Sequence, residues 1–215
     1  MKEKIEKLIK FSMKIFWIFV IGSIFGFFAE MLYTLVYTRT LEIRQGLIYG
    51  PFVQVYGMGA MAYYLLVSKI QEPKKLFFSG MIMGGVLEYL CSFFQEIFWG
   101  TVSWEYSHLF MNFNGRTSLL YCFYWGIIAV AYLKIFYPLF QKLDSFIEKK
   151  GIKIFTVFFM LFMAFDITIS CMAADRQQKR REHLPPANAI EVFLDEHYPD
   201  ELMDRVYNNK KEMDV

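Results

Sequence analysis

Four carboxylates, Glu30, Glu88, Glu96 and Asp166, lie inside runs that are otherwise apolar. On insertion scales a charge at the centre of a bilayer costs about 2.5–3.5 kcal/mol. Without a partner or water, such a group takes up a proton. Two arginines, Arg44 and Arg116, open the apolar runs that follow Glu30 and Glu88. Acids and guanidinium groups gathered in an apolar setting can bind a polar or ionic solute, relay protons or neutralise a cation. The blander reading is a carboxylate salted to an arginine only to hold helices together. That reading is preferred for Glu96, which falls near the end of its run, and the functional one for Glu30 and Glu88.

The elements that must position these groups are membrane helices. The chain of 215 residues is 56% hydrophobic and 20% aromatic, above the roughly 45–50% apolar content of soluble domains. A spanning helix needs about 20 mostly apolar residues. Five runs meet that length: Ile15–Tyr37, Pro51–Ile70, Leu76–Trp99, Ser118–Phe140 and Ile152–Met172. They lack the strict alternation of barrel strands, which need only about 10 residues each. Lipid-exposed backbone must bond internally, so the expectation is an all-α, polytopic bundle of about five transmembrane helices. The N-terminal run is about twice the length of a signal-peptide core and lacks a small-x-small cleavage site, so it reads as a retained span.

Charge gives orientation and boundaries. Lys and Arg collect on the cytoplasmic side of short loops. Five lysines precede the first span, and Lys69, Lys74, Lys75 and Lys142, Lys149, Lys150, Lys153 fill the second and fourth loops. The other two loops carry Arg39, Arg44 and Arg116. The expectation is a multi-pass protein of the plasma membrane with a cytoplasmic N-terminus. It has a basic segment at 1–14, a transmembrane domain at 15–172 and a polar tail at 173–215. Five spans place that tail outside, against the charge of Arg176, Lys179, Arg180 and Arg181; either the tail is an exception or the count is off by one. Pro185-Pro186 interrupts any helix leaving the membrane, and Ala189–Glu196 reads as a short helix capped by Asn188.

An internal repeat runs through the first four spans. Gly22-xxx-Gly26-xxx-Glu30 and Gly80-xxx-Gly84-xxx-Glu88 share one spacing, offset by 58 residues. Arg44-xx-Leu47-x-Tyr49 and Arg116-xx-Leu119-x-Tyr121 open the second and fourth spans. The units cover about 15–70 and 76–140, with 152–172 as the fifth helix. Two spans per unit make the repeat parallel, an arrangement found in transporters with the site at the repeat interface. Gly22, Gly26, Gly80 and Gly84 read as packing residues that let helices approach closely in lipid.

With spans one, three and five running outward, Glu30, Glu88 and Asp166 fall toward the outer half, beside Arg44 and Arg116. One polar cleft is expected there, with Glu30–Arg44 and Glu88–Arg116 contacts. The long loop before Arg116 adds Trp104, Glu105, Tyr106 and Asn112, either as interfacial aromatics and turn residues or as groups facing a ligand. Gly46–Pro51 allows a short broken helix lining the cleft. His108 has no second ligand at metal spacing, so no metal is expected. Cys91, Cys122 and Cys171 all fall within spans and read as small apolar residues. No P-loop, Gly-x-Ser-x-Gly or His-Glu-xx-His motif occurs, so neither a catalytic residue nor a cofactor is assigned.

Several motifs together resemble a known family. These are Gly46-Leu-Ile-Tyr-Gly-Pro51, Tyr56-Gly57, Glu88-Tyr89, Trp104-Glu-Tyr-Ser107 and Asn112-x-x-Gly-Arg116, with Asp166, Ser170 and Arg176 beyond them. Over Phe25–Asn208 the chain resembles the bacterial membrane proteins described as "putative ABC-transporter type IV". In that family an Asp usually stands at the position of Glu105, and an Arg-Gly pair precedes the first motif, where this chain has Arg44-Gln45-Gly46. The resemblance implies a permease subunit of an ABC transporter working with a separate ATP-binding subunit. A membrane-embedded enzyme or binding protein acting on lipid or envelope precursors is the first alternative, and a membrane scaffold the second. Partners are the bilayer, that ATPase and a second copy of the chain, with no nucleic acid.

Overall fold

The computed structural model describes residues 2–208 and 210–212. Nine α-helices carry most of the described chain: α1 (Lys2–Tyr37), α2 (Gln54–Val67), α3 (Pro73–Trp99), α4 (Leu119–Lys134), α5 (Phe136–Gln141), α6 (Leu143–Ile147), α7 (Lys150–Arg181), α8 (Ala189–His197) and α9 (Asp200–Val206). Among the described residues, sheet is confined to four two-residue strands, β1 (Thr101–Val102), β2 (Asn112–Phe113), β3 (Thr117–Ser118) and β4 (Lys211–Glu212). β1 pairs antiparallel with β4, and β2 with β3. The expected all-α membrane bundle is the architecture observed.

The span count differs in one element. α1, α3 and α7 are long and apolar enough to cross a membrane, and α4 with α5–α6 makes one further candidate bent by 46°. The run Pro51–Ile70 forms a helix of only 14 residues, about 21 Å at 1.5 Å per residue. The chain before it, residues 45–53, stays irregular. Its backbone groups bond within the protein rather than along a helix. Gly46 N–H donates to Phe52 O (2.8 Å), and Val53 N–H to Ser23 O (3.1 Å). Ile48 N–H donates to Ser170 Oγ (3.0 Å) and Tyr49 N–H to Asp166 Oδ1 (3.1 Å). Irregular backbone at membrane depth survives where protein satisfies it in this way.

Large apolar side chains face outward along the long helices, among them Phe28 and Leu32 on α1, Ile82 and Phe98 on α3, and Phe158 and Leu161 on α7. In water such a surface would aggregate; in lipid it is the solvated face. The interior is held by glycine contacts and tyrosine hydroxyls. α1 packs most extensively on α2, and α3 on α4. A Cβ on Gly22 would stand 2.6 Å from Ala60 Cβ, and one on Gly80 would be closer still to Ala129 Cβ. α2 and α4 meet where Tyr63 OH donates to Trp125 O (3.0 Å) and Tyr132 OH to Ala60 O (2.8 Å). These tyrosines sit in a core with Ile18, Val67 and Leu76.

The lysine-rich end is tied by ion pairs. Lys14, buried over the Tyr64 ring, reaches Asp144 of α6 at 2.8 Å. At the opposite end the tail folds back. α8 begins at Asn188, whose Oδ1 accepts from Glu191 N–H (3.0 Å). Leu194, Tyr198 and Met203 pack with Ala173 of α7. The cations that follow the fifth run are answered here by acids. Arg176, 2% exposed, donates to both carboxylate oxygens of Asp195 (2.9 and 2.8 Å). Arg180 pairs with Asp195 and Asp200, Lys179 with Asp175 and Glu191, and Arg181 with Asp204. The tail's positive charge is therefore matched within its own fold. The hydrogen bonds from Arg176 hold the Asp195 carboxyl below the usual carboxylate range. Glu191 is also lowered, first by the Ala187 N–H and then by Lys179.

Candidate functional site

A cavity of about 1040 Å³ lies at the end of the bundle opposite the lysine-rich end. Residues of α1, α2, α3 and α4 wall it, with the irregular segment before α2, the loop after α3 and parts of α7 and the tail. Glu30, Arg44, Glu88, Trp104 and Tyr106 all stand in this wall.

Glu30 and Arg44 meet as expected, with Arg44 Nη1 3.6 Å from Glu30 Oε2. Arg44 is shared with Glu42, at 3.0 Å. Tyr56 OH supplies the shorter bond to Glu30, 2.7 Å to Oε1. Tyr56 can reach because Gly26 leaves its ring the space a side chain would fill.

Glu88 does not meet Arg116. Its partners are neutral: Thr117 Oγ1–H donates to Oε2 (2.7 Å), Trp125 Nε1–H to Oε2 (3.3 Å) and Tyr106 OH to Oε1 (3.2 Å). Glu88 is 6% exposed. Trp125 occupies the space over Gly84 as Tyr56 does over Gly26. Arg116 turns to Glu96 instead, at 2.5 Å, with its guanidinium over the rings of Tyr89 and Phe93. The reason is local. Successive residues of an extended segment point to opposite faces, so when Thr117 of β3 faces Glu88, Arg116 before it faces away.

Asp166 is fully buried beneath the irregular segment, apart from the cavity wall. Its Oδ1 accepts from Tyr49 N–H and Ser170 Oγ–H, and its Oδ2 has no protein partner. The loop residues divide similarly. Tyr106 stacks on Tyr121 with centroids 4.1 Å apart, and Trp104 Nε1–H holds Arg116 O at 2.9 Å. Asn112 Oδ1 accepts from Gly115 N–H (3.0 Å), while its Nδ2 donates to Ser107 O and Leu109 O. Glu105 Oε1 accepts from Ser107 N–H at 2.5 Å. Asn112 and Glu105 thus shape the loop that carries Tyr106 and Thr117. No group of three or more His, Cys, Asp or Glu among the described residues has metal-site geometry.

The sequence profile of the family described as "Putative ABC-transporter type IV" matches residues 17–171. The chain belongs to that family. No curated protein and no solved structure matches it. The matched span contains Glu30, Arg44, Glu88, Arg116, Asp166 and Ser170, and ends short of Arg176 and the tail. As a membrane protein of the type IV family, the chain places two of its three expected cleft acids in one wall and the third behind it.

Thr117 and Trp125, which hold Glu88, were not singled out from the sequence, and Tyr56 entered only as part of a family motif. A signal was present. Tyr56-Gly57 and Trp125-Gly126 are aromatic–glycine pairs at like places in the second and fourth runs. The wall also takes Tyr207 and Lys210 from the tail, contributions that only the folded-back chain reveals.

Proposed function

We propose that the chain is the permease-type, membrane-embedded subunit of an ABC-type system, and that a small polar or ionic solute enters the cavity between its two helix pairs. One observation carries this reading. Glu30 of the first pair and Glu88 of the second stand in the wall of one cavity of about 1040 Å³. Small-molecule sites are concave, mostly apolar and furnished with a few placed polar groups, and this wall has that character.

The packing supports a parallel repeat of two-helix units with the site between them. Gly22 lies against Ala60 as Gly80 lies against Ala129. Gly26 makes room for Tyr56 as Gly84 does for Trp125. Each aromatic residue then bonds the acid one turn beyond its glycine. With the lysine-rich end in the cytoplasm, the cavity lies in the outer half of the plasma membrane. The basic N-terminus at 1–14 then lies in the cytoplasm, with the membrane domain at 15–172 and the polar tail at 173–215. ATP hydrolysis falls to a separate subunit docked on the lysine-rich side.

The lipid or envelope-precursor reading would use Arg44 and Arg116 as a phosphate clamp. Each already faces a carboxylate, so it has less support. A scaffold needs neither acid. The test is uptake. Metabolite profiling of cells with and without the chain identifies the solute. Glu30→Gln and Glu88→Gln are each expected to lower its uptake roughly tenfold or more, about 1.4 kcal/mol per tenfold, while the protein still accumulates in membranes. Normal uptake in both variants refutes the proposal.

A further inference from the structure

The two acids of the cavity differ in how their charge is answered. Glu30 has Arg44 within ion-pair distance. Glu88 has no Lys or Arg so placed among the described residues; its three partners are neutral hydroxyl and indole donors. An indole N–H donates only, so Glu88 Oε2 is set as an acceptor. The donors orient a carboxylate without cancelling its charge, and a buried charge calls for a partner of opposite sign.

The wall around Glu88 is aromatic. Tyr106, Tyr121, Tyr124, Trp104 and Trp125 all line the cavity. Ring faces attract cations, above all those stripped of water, and cages of such rings recognise quaternary ammonium groups. The cations of the same wall have acids of their own. Arg44 stands between Glu30 and Glu42, and Arg181 and Lys210 lie 3.7 and 3.9 Å from Asp204. An anion entering the cavity competes with those carboxylates. A cation reaching Glu88 displaces no Lys or Arg.

We propose that the cavity takes an organic cation, an ammonium-bearing solute with an apolar body, whose charge seats on Glu88 and whose body lies against the surrounding rings. This rests on the cavity being the solute site, and it names the solute's class.

The experiment is calorimetric titration of the full chain in lipid nanodiscs. The probes are tetramethylammonium, benzyltrimethylammonium and phenethylammonium, with benzenesulfonate and benzyl alcohol as anionic and neutral counterparts. Benzyltrimethylammonium is expected to saturate a single site that the two counterparts do not occupy, and to bind Glu88→Gln at least about tenfold more weakly. Absence of saturable binding for all three ammonium ions, or equal binding by the folded variant, overturns the proposal. The wild-type protein supplies a reading that does not depend on the variant's folding. Bound benzyltrimethylammonium is expected to protect Glu88 from dicyclohexylcarbodiimide, as located by peptide mass spectrometry; unprotected labelling overturns the assignment. The two proposals fail separately. Cation binding at Glu88 with no chain-dependent uptake of any solute removes the permease reading and keeps the site. Chain-dependent uptake of an anion, with no ammonium binding, does the reverse.

Discussion

Adding one methyl group at Gly80 tests how the helix pairs are held. Its Cβ would lie well inside van der Waals contact with Ala129 Cβ, closer than the 2.6 Å that separates a Gly22 Cβ from Ala60. Carbon atoms rest about 3.5–4.0 Å apart, so α3 and α4 must part by about 1 Å or more. Overpacking of this kind costs about 1–3 kcal/mol. For a chain of this size each kcal/mol lowers the midpoint by about 2–4 °C, so Gly80→Ala is expected to lose about 2–12 °C. The assay is thermal loss of the monodisperse peak in detergent, followed by tryptophan fluorescence. The structure also predicts the rescue. Apart from Ala129, the new methyl meets Trp125 O at 3.4 Å and Tyr63 Cε1 at 3.5 Å, which are ordinary contacts. Ala129→Gly in the same chain is therefore expected to restore the midpoint. At Gly22 the methyl also meets Tyr56 O at 3.1 Å and Gly57 Cα at 3.2 Å, both backbone atoms. Ala60→Gly should recover only part of the loss from Gly22→Ala. Wild-type stability of Gly80→Ala, or equal rescue at the two sites, refutes this account of the packing.

The tail's docking depends on acids whose carboxyls are lowered by their partners, Asp195 by Arg176 and Glu191 by the Ala187 N–H and Lys179. A depressed folded-state value contributes stability above the unfolded value, about pH 4, and the contribution is lost as pH falls through the folded one. Hydrogen exchange in α8 is thus expected to stay slow down to about pH 4 and to rise below it; release near pH 6 would contradict the network. Asp166→Asn is expected to lose less stability than Asp166→Leu, because an amide oxygen still accepts from Tyr49 N–H and Ser170 Oγ–H. Asp166→Leu orphans a buried N–H and should cost about 1–3 kcal/mol in the same thermal assay. Arg116→Ala leaves Glu96 without its cation. A double-mutant cycle with Glu96→Ala should show coupling of about 0.5–3 kcal/mol, whereas additive losses would mean that the pair does not stabilise the loop.

Helix-length apolar runs were legible because a bilayer demands them, and so was the pairing of Glu30 with Arg44. Asn188 announced α8 through its capping chemistry. The short α2 was not legible. Pro51–Ile70 is mostly apolar, yet residues 45–53 find their hydrogen-bond partners on Ser23, Asp166 and Ser170 rather than along a helix, and nothing local in the sequence names partners so distant. Arg116 misled for a related reason. Spacing put it beside Glu88, but the pairing of β3 with β2 sets which neighbour faces inward, and Thr117 takes the place. The basic stretch from Arg176 to Arg181 looked anomalous because its acids, Glu191 through Asp204, follow only later in the chain and are gathered by folding.

The short β1–β4 ladder joins Thr101 to Glu212 and Val102 to Lys211. Its two partners are separated in translation by all of α4 to α9. Pairings so distant in sequence form slowly. The ladder cannot form until Lys211 and Glu212 have been translated, after every helix that walls the cavity.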